Sequence, residues 1–445
     1  GWSVSYSYDD NGNLIATTDA SNRTITGTYD NLNRLTFRNY SDSTPDVTFT
    51  FDDVNIPNSK GQLTSATSTV SSTFYTAFDE LGRITGSRQS TNGTDYNFPD
   101  YTYDFSGALV SQTYPSGRVV EVETDNIGRL SKVTSQLPAQ VERVYLSNLA
   151  YTSFGAVKHA KFGNGRWESA QYDSKRLQTE EIRLGGSATD ASLLKIEYDF
   201  GATDNNGSLK QQKITVPGAA HPIVQSYAYD MLNRLQSATE SVNAQVQWKQ
   251  TFSYDRFGNR RFDAANTTTL PANNNIHNPQ IDMATNRFTV AEGYNYDSEG
   301  NLTGNPESQL FTYDAENRQT QIQNTASQTT ANYYYDGNGK RVRKIIRQEE
   351  TVFVYDAFGK LVAEYATTLD TTRPKTISYL TTDDLGSPRI VTNQLGQVVS
   401  RHDYMPFGEE VLAVTGVRTT TQGYGGNDGV RKQFTGYERD TESGL

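Results

Sequence analysis

Two rings set two residues apart precede one polar turn after another along this chain. The pairs are Tyr6/Tyr8, Phe49/Phe51, Tyr101/Tyr103, Tyr227/Tyr229, Phe252/Tyr254, Tyr294/Tyr296, Phe311/Tyr313, Tyr333/Tyr335 and Phe353/Tyr355. Residues two apart on a strand share a face. The pattern therefore predicts strands with a ring-bearing face and a small, polar face. No stretch sustains a helical period, and glycine recurs too often for long helices. An almost all-β chain follows.

The second ring opens a recurring phrase: aromatic, Asp, two variable residues, Gly, a polar residue, an aliphatic. Copies run from Tyr8-Asp9 to Gly12, Phe78-Asp79 to Gly82, Tyr103-Asp104 to Gly107 and Tyr254-Asp255 to Gly258. Others run from Tyr296-Asp297 to Gly300, Tyr335-Asp336 to Gly339 and Tyr355-Asp356 to Gly359. In three copies Asn replaces Gly: Tyr29-Asp30 to Asn33, Tyr229-Asp230 to Asn233 and Tyr313-Asp314 to Asn317. Repetition at roughly 20–30 residues is the mark of solenoids, propellers or arrays.

The phrase reads as a hairpin tip. Asp suits the first position of a type I turn, where its carboxylate accepts backbone N–H groups two residues on. A left-handed residue then returns the chain to the ladder through a bulge. Glycine is the default there, and Asn is the next residue to tolerate that conformation. A glycine kept for close approach of a ligand would not be exchanged for Asn in this way.

The rhythm varies. Phe51-Asp52 reaches Gly61 through an insertion, Tyr114 to Gly117 is a shortened variant, and Asp125 to Gly128 lacks the aromatic. Residues 140–215 drift; Asp173 to Leu177 reads as lacking one turn residue, and Asp204 to Gly207 as a second turn. A stretch from about 263 to 290, rich in Asn, Thr and Pro, reads as a loop. We divide the chain into a hairpin array at 1–375 and a distinct segment at 376–445.

That last segment differs in kind. It carries Asp384-Leu385-Gly386-Ser387-Pro388, then Gly396, then Tyr404-Met405-Pro406-Phe407-Gly408, then Gly436-Tyr437. With the Tyr-Asp phrases, this order resembles RHS/YD-repeat proteins: bacterial Rhs polymorphic toxins, the B–C cocoon of Tc insecticidal toxins and the YD shell of teneurins. The segment resembles the RHS-repeat-associated core. The resemblance implies a continuous spiral of stacked hairpins, a β-cocoon or a partial shell or rod. It implies a non-catalytic shell that encapsulates or presents a C-terminal toxin or effector of the same polypeptide. The family's later Tyr-rich strand and Asp-Pro self-cleavage motif do not occur here, so autoproteolysis falls on no residue of this sequence. The chain ends in mid-motif and reads as an excerpt.

Composition narrows the partners. Mean hydropathy is −0.68, which alone would permit disorder. The 28 Tyr and 19 Phe supply apolar area that a disordered chain lacks. Net charge is −11 with no basic tract, which argues against nucleic acid. No apolar run is long enough for a transmembrane helix, and no cysteine is present.

Candidate chemistry is sparse. The Asp-x-x-Gly phrase lacks the alternating ligands and distal Glu of a calcium loop, so we expect no metal and no cofactor. His159, His221, His277 and His402 lie far apart and are expected to be lone surface or packed residues. Glu180-Glu181 and Glu349-Glu350 would face opposite sides of a strand and are expected to be solvated. Trp2, Trp167 and Trp248 are assigned to packing. No nucleophile elbow, phosphate loop or dinucleotide fingerprint appears, and no catalytic residue is named. The rival reading is an extracellular fibre or adhesin that self-associates through sheet edges or holds glycans. Either reading places the protein outside the cell or at a bacterial surface.

Overall fold

The computed structural model describes residues 3–270, 277–367, 377–426, 428–438, 440 and 442. Trp2 and the 375/376 boundary lie outside them. The chain divides into two compact units: Gly1–Glu121 with Gln136–Val141 and Gln280–Thr371, and Val122–Ser135 with Glu142–Pro279 and Thr372–Leu445. Both are built of antiparallel strands in which each strand pairs with its neighbour in sequence. The helical elements among the described residues are short 3-10 turns, such as Ala264–Asn266 and Thr420–Gln422.

In the first unit one meander runs from Ser5–Tyr8 to Thr94–Phe98 and a second from Asn295–Tyr296 to Leu361–Ala366. Turn tips of the later meander dock on the earlier one. Ala315 N–H donates to Thr44 Oγ1 at 3.1 Å, and Glu316 takes Arg38 at 2.9 Å. Farther along, the Gln89 side chain bridges the two runs, donating to the Phe353 carbonyl at 2.9 Å and accepting from Tyr355 N–H at 2.9 Å. Tyr96, Phe98, Tyr101, Val352 and Val354 close a core around that bridge.

In the second unit an antiparallel run extends from Arg143–Tyr151 to Arg260–Phe262. Its register places Ile196 opposite Ile182 and Ile214, and Ile223 opposite Ile214 and Val242. One apolar stripe therefore crosses successive strands on a single face. Ile390, from the three-stranded sheet Ser378–Thr382, Pro388–Asn393 and Val398–Arg401, packs into that stripe with Tyr424. Burying each such side chain stabilises the fold by about 1.5–3 kcal/mol.

Two sequence readings need correction. The turn at Asp173 is one residue longer than the standard phrase, not shorter. Asp173 N–H bonds the Gln178 carbonyl at 2.9 Å, and the left-handed position passes to Leu177 at φ 60°. With no Gly or Asn three residues after the Asp, the chain closes the turn with an added residue. The second correction concerns the carboxylate pairs. Glu180 and Glu349 are exposed, but Glu181 is 9% exposed and meets Lys195 at 3.1 Å. Glu350 holds Arg343 through both oxygens, at 2.9 and 3.1 Å. Neighbours on a strand face opposite ways, so one of each pair turns inward, and a cation is supplied there.

Between 263 and 290 the described residues include a small ladder, Ile281–Asp282 with Arg287–Phe288.

Candidate functional site

Asp79 shows how the repeated phrase is built. Its Oδ1 accepts from Leu81 N–H and Arg83 N–H, both at 2.9 Å, and its Oδ2 accepts from Arg83 Nε at 2.6 Å. Gly82 N–H closes the turn on the Asp79 carbonyl at 2.9 Å with φ 74°. Burial opposes the charge, but the Arg83 backbone and side chain outweigh it and hold the carboxyl below its usual range. Asn33, Asn233 and Asn317 occupy the left-handed position at φ 60°, 58° and 58°. The ladder slips by one residue just before the motif ring, as between Thr102 and Tyr103 or Val354 and Tyr355.

The same backbone turn forms without Asp. Tyr114, Thr152, Asn393, Met405 and Gln433 each donate to a carbonyl four residues on, at 2.8 to 2.9 Å. A left-handed residue, usually glycine, is what the turn requires, and the aspartate adds a cap to it.

Sequence reasoning missed what joins one hairpin to the next. The Arg that closes an Asp turn stacks on the motif ring of the following repeat. Arg83 lies 4.6 Å from the Tyr103 ring, Arg129 4.4 Å from Tyr151, and Arg234 4.6 Å from Tyr254. The tyrosine answers through its hydroxyl, which donates to a carbonyl of the earlier hairpin. Tyr103 reaches Ile84 at 2.6 Å, Tyr254 reaches Leu235 at 2.7 Å, and Tyr335 reaches Gln319 at 2.7 Å. Ring–ring contact between neighbouring strands occurs at Phe252 and Phe262, 5.3 Å apart. At these motif positions the ring's partner is a guanidinium.

The C-terminal segment holds a buried charge network in the second unit. Arg418 donates to both Glu240 oxygens at 2.7 and 2.8 Å and to Asp403 Oδ2 at 2.7 Å. Arg389 donates to the His402 carbonyl at 2.9 Å and pairs with Asp403, to which Tyr424 also donates, at 2.9 Å. Burial works to raise the Asp403 pKa, but Arg418 and Arg389 together hold it low. Next to it, His402 lies between Glu410, 2.7 Å from Nδ1, and Asp428, 2.8 Å from Nε2. Burial disfavours the imidazolium, yet these carboxylates push its pKa up to about 9.

The motif residues named from sequence are placed around this network. Asp383, one residue before Asp384, caps the turn whose left-handed residue is Gly386. Asp384 instead accepts from Thr179. Ser387 is fully buried and accepts from Thr435 N–H at 3.0 Å. Pro388 is buried, Tyr404 is buried against Phe434, and Gly408 packs on that same ring, where a Cβ would lie 3.0 Å away. The Gly396 carbonyl accepts from Arg166 at 2.8 Å. Phe407 stacks edge-on with Phe252 at 4.9 Å. Leu385 and Tyr437 are exposed, and Gly436 makes the last turn at φ 76°. Trp248 is buried and Trp167 half-buried. Among the described residues, no three His, Asp or Glu converge with metal-holding geometry.

Comparison with known proteins follows this geometry. A teneurin YD-shell family model matches residues 176–413, and an RHS repeat model matches residues 8–43. The tRNA3(Ser)-specific nuclease WapA of Bacillus spizizenii is 24% identical over 49% of this chain and 9% of its own length. Mouse Teneurin-1 is 24% identical over 71% of this chain and 11% of its own. The chain therefore spans about a tenth of these curated relatives. The TcdB2-TccC3-Cdc42 crystal structure superposes with TM-score 0.80 at 18% identity, covering 99% of this chain and 25% of that one. The Photorhabdus luminescens Tc holotoxin pore carrying TccC3-D651A gives 0.77 over the same 99%. These superpositions establish a shared fold.

Proposed function

Because the chain belongs to the teneurin YD-shell family, we propose that its structural role is to encapsulate or present a C-terminal effector of the longer polypeptide. The observation that carries this reading is the 99% superposition on one quarter of the TcdB2-TccC3-Cdc42 chain. A related solved structure is described as lacking a hypervariable C-terminal region. WapA is by name a nuclease, and the match covers 9% of it. In such a protein the repeats are the wall and the activity belongs to another segment. A wall of capped, interlocked hairpins suits this task, since the Asp cap and the Tyr-to-carbonyl bond recur from repeat to repeat. By the same reasoning the protein acts as a secreted or cell-surface component of a bacterium.

Limited proteolysis of the full natural polypeptide tests the proposal. The expected result is that a domain following the array resists cleavage until the array itself unfolds. Cleavage at the rate of the isolated domain would refute encapsulation.

One observation favours a second reading, a self-associating fibre. Turn tips carry large exposed apolar residues: Leu81 at 77%, Ile127 at 74% and Phe105 fully exposed. On this reading the exposed apolar tips supply the contacts between copies. Light scattering separates the readings, with discrete particles supporting the wall and open polymers the fibre.

A further inference from the structure

A cavity of about 430 Å³ opens in the second unit between the hairpins at 198–235 and the C-terminal segment. Tyr198, Tyr227, Tyr229 and Phe434 supply aromatic walls, and Leu209 and Leu235 supply aliphatic ones. We infer that this cavity is a binding site for a neutral sugar ring, such as the terminal hexose of a glycan.

Two amides, Gln212 and Gln225, line it. Gln212 donates to Gln225 Oε1 at 3.1 Å, and Gln225 donates to Glu240 Oε2 at 3.0 Å. Tyr227 donates to the same Gln225 oxygen at 2.8 Å. Glu240 is in turn fixed by Arg418. This relay orients Gln212, which is 8% exposed, and leaves its carbonyl oxygen with no donor among the described residues. That oxygen keeps its acceptor capacity free for a ligand hydroxyl. Tyr198 also lines the cavity. Its oxygen accepts weakly from Asp384 N–H at 3.4 Å, and its own proton has no acceptor among the described residues. The cavity thus offers an open acceptor and an open donor between aromatic walls. A hydroxyl is both donor and acceptor, so a ring bearing adjacent hydroxyls satisfies both, while its C–H face rests on the rings.

Charge selects the neutral sugar. Arg389 lines the cavity, but its guanidinium is already committed to Asp403 and Asp383. Among the described lining residues no free cation remains for a uronate, sialate or phosphate, and the Asp384 carboxylate in the lining repels them.

Saturation-transfer NMR on the whole chain tests this, with the methyl glycosides of glucose, galactose, mannose and N-acetylglucosamine as probes. The expected result is saturable transfer from at least one of them. Tyr198→Phe and Gln212→Leu should each weaken it by about tenfold or more. Tyr198→Phe removes a single oxygen and keeps the fold. If Gln212→Leu does not fold, Leu209→Trp fills the cavity from its wall and should abolish transfer. The inference is overturned by no saturable transfer from any of the glycosides, or by transfer that no substitution weakens. It is equally overturned if N-acetyltyrosinamide binds more tightly than every glycoside, which assigns the cavity to a peptide side chain. None of these outcomes depends on an effector being enclosed.

Discussion

Glu168 is a carboxyl set between apolar neighbours on the stacked hairpins. It lies on strand Trp167–Tyr172 directly opposite Ala160 on one neighbour and Leu184 on the other. Leu184 belongs to the apolar stripe of the second unit, and Glu168 faces Thr381 of the C-terminal sheet. Among the described residues no Lys or Arg pairs with it. Burial pushes its pKa up to about 7, and the Thr381 hydroxyl, outside good hydrogen-bonding geometry, pulls only weakly the other way. The folded value therefore stands above the unfolded one, 4.5. The resulting contribution to stability is complete below pH 4.5 and is lost as pH rises through about 7. At ~1.36 kcal/mol per pH decade, that interval bounds the loss at about 3 kcal/mol. Glu168 keeps some accessible surface, so about 1–3 kcal/mol is expected after screening.

Glu168→Gln keeps the shape and removes the titration. The measurement is urea unfolding of both proteins at a series of pH values from 4 to 9, compared as differences. Every other carboxylate titrates in both proteins and cancels. The variant should match the natural protein near pH 4 and exceed it by about 1–3 kcal/mol at pH 8. A variant-to-natural difference that is flat across the series would show that the carboxyl is solvated and the reasoning wrong. A variant less stable at pH 8 would show that the carboxylate has a partner.

Other outcomes follow from the same contacts. His402→Gln should titrate at higher pH: its folded pKa of about 9 exceeds the ordinary 6.5, so the stabilisation it removes is full below pH 6.5 and absent above about pH 9, which thermal melts at pH 6 and 10 would detect. Arg418→Met should cost about 3–5 kcal/mol by stranding Glu240 and Asp403, and adding Glu240→Leu should recover part of that in urea unfolding; equal losses in the single and double variants would refute the coupling. Tyr254→Phe should cost about 1 kcal/mol through the lost bond to Leu235, and a double-mutant cycle pairing Tyr254→Leu, which removes the ring, with Arg234→Met should give a coupling of about 0.5–1 kcal/mol for the stacked pair. Gly82→Ala should destabilise at φ 74° by about 1 kcal/mol or more, while Asn33→Gly should be nearly neutral, both read from unfolding midpoints.

What was legible in the sequence was local. The Asp, the Gly or Asn and the alternating rings each act within a few residues, so the hairpin, its bulge and the sequential strand order follow from spacing alone. The position after the glycine was read merely as polar. Its recurrent Arg at Arg83, Arg129, Arg234 and Arg318 was the available sign of the interlock, because a cation repeated one residue after the turn must meet the next motif ring if the hairpins add side by side. The preference for Tyr over Phe in the phrase was the other sign. A hydroxyl is retained where it has a carbonyl to reach, and Phe51 and Phe78 show the places where that bond is given up. The Glu240–Arg418 pair had no such sign. The residues are separated by 178 positions, and nothing in either neighbourhood repeats. Its location follows from how the C-terminal sheet packs on the apolar stripe through Ile390, a contact decided by shape across distant segments. The residues open to new chemistry, Gln212 and Tyr198, lie at this non-repeating contact.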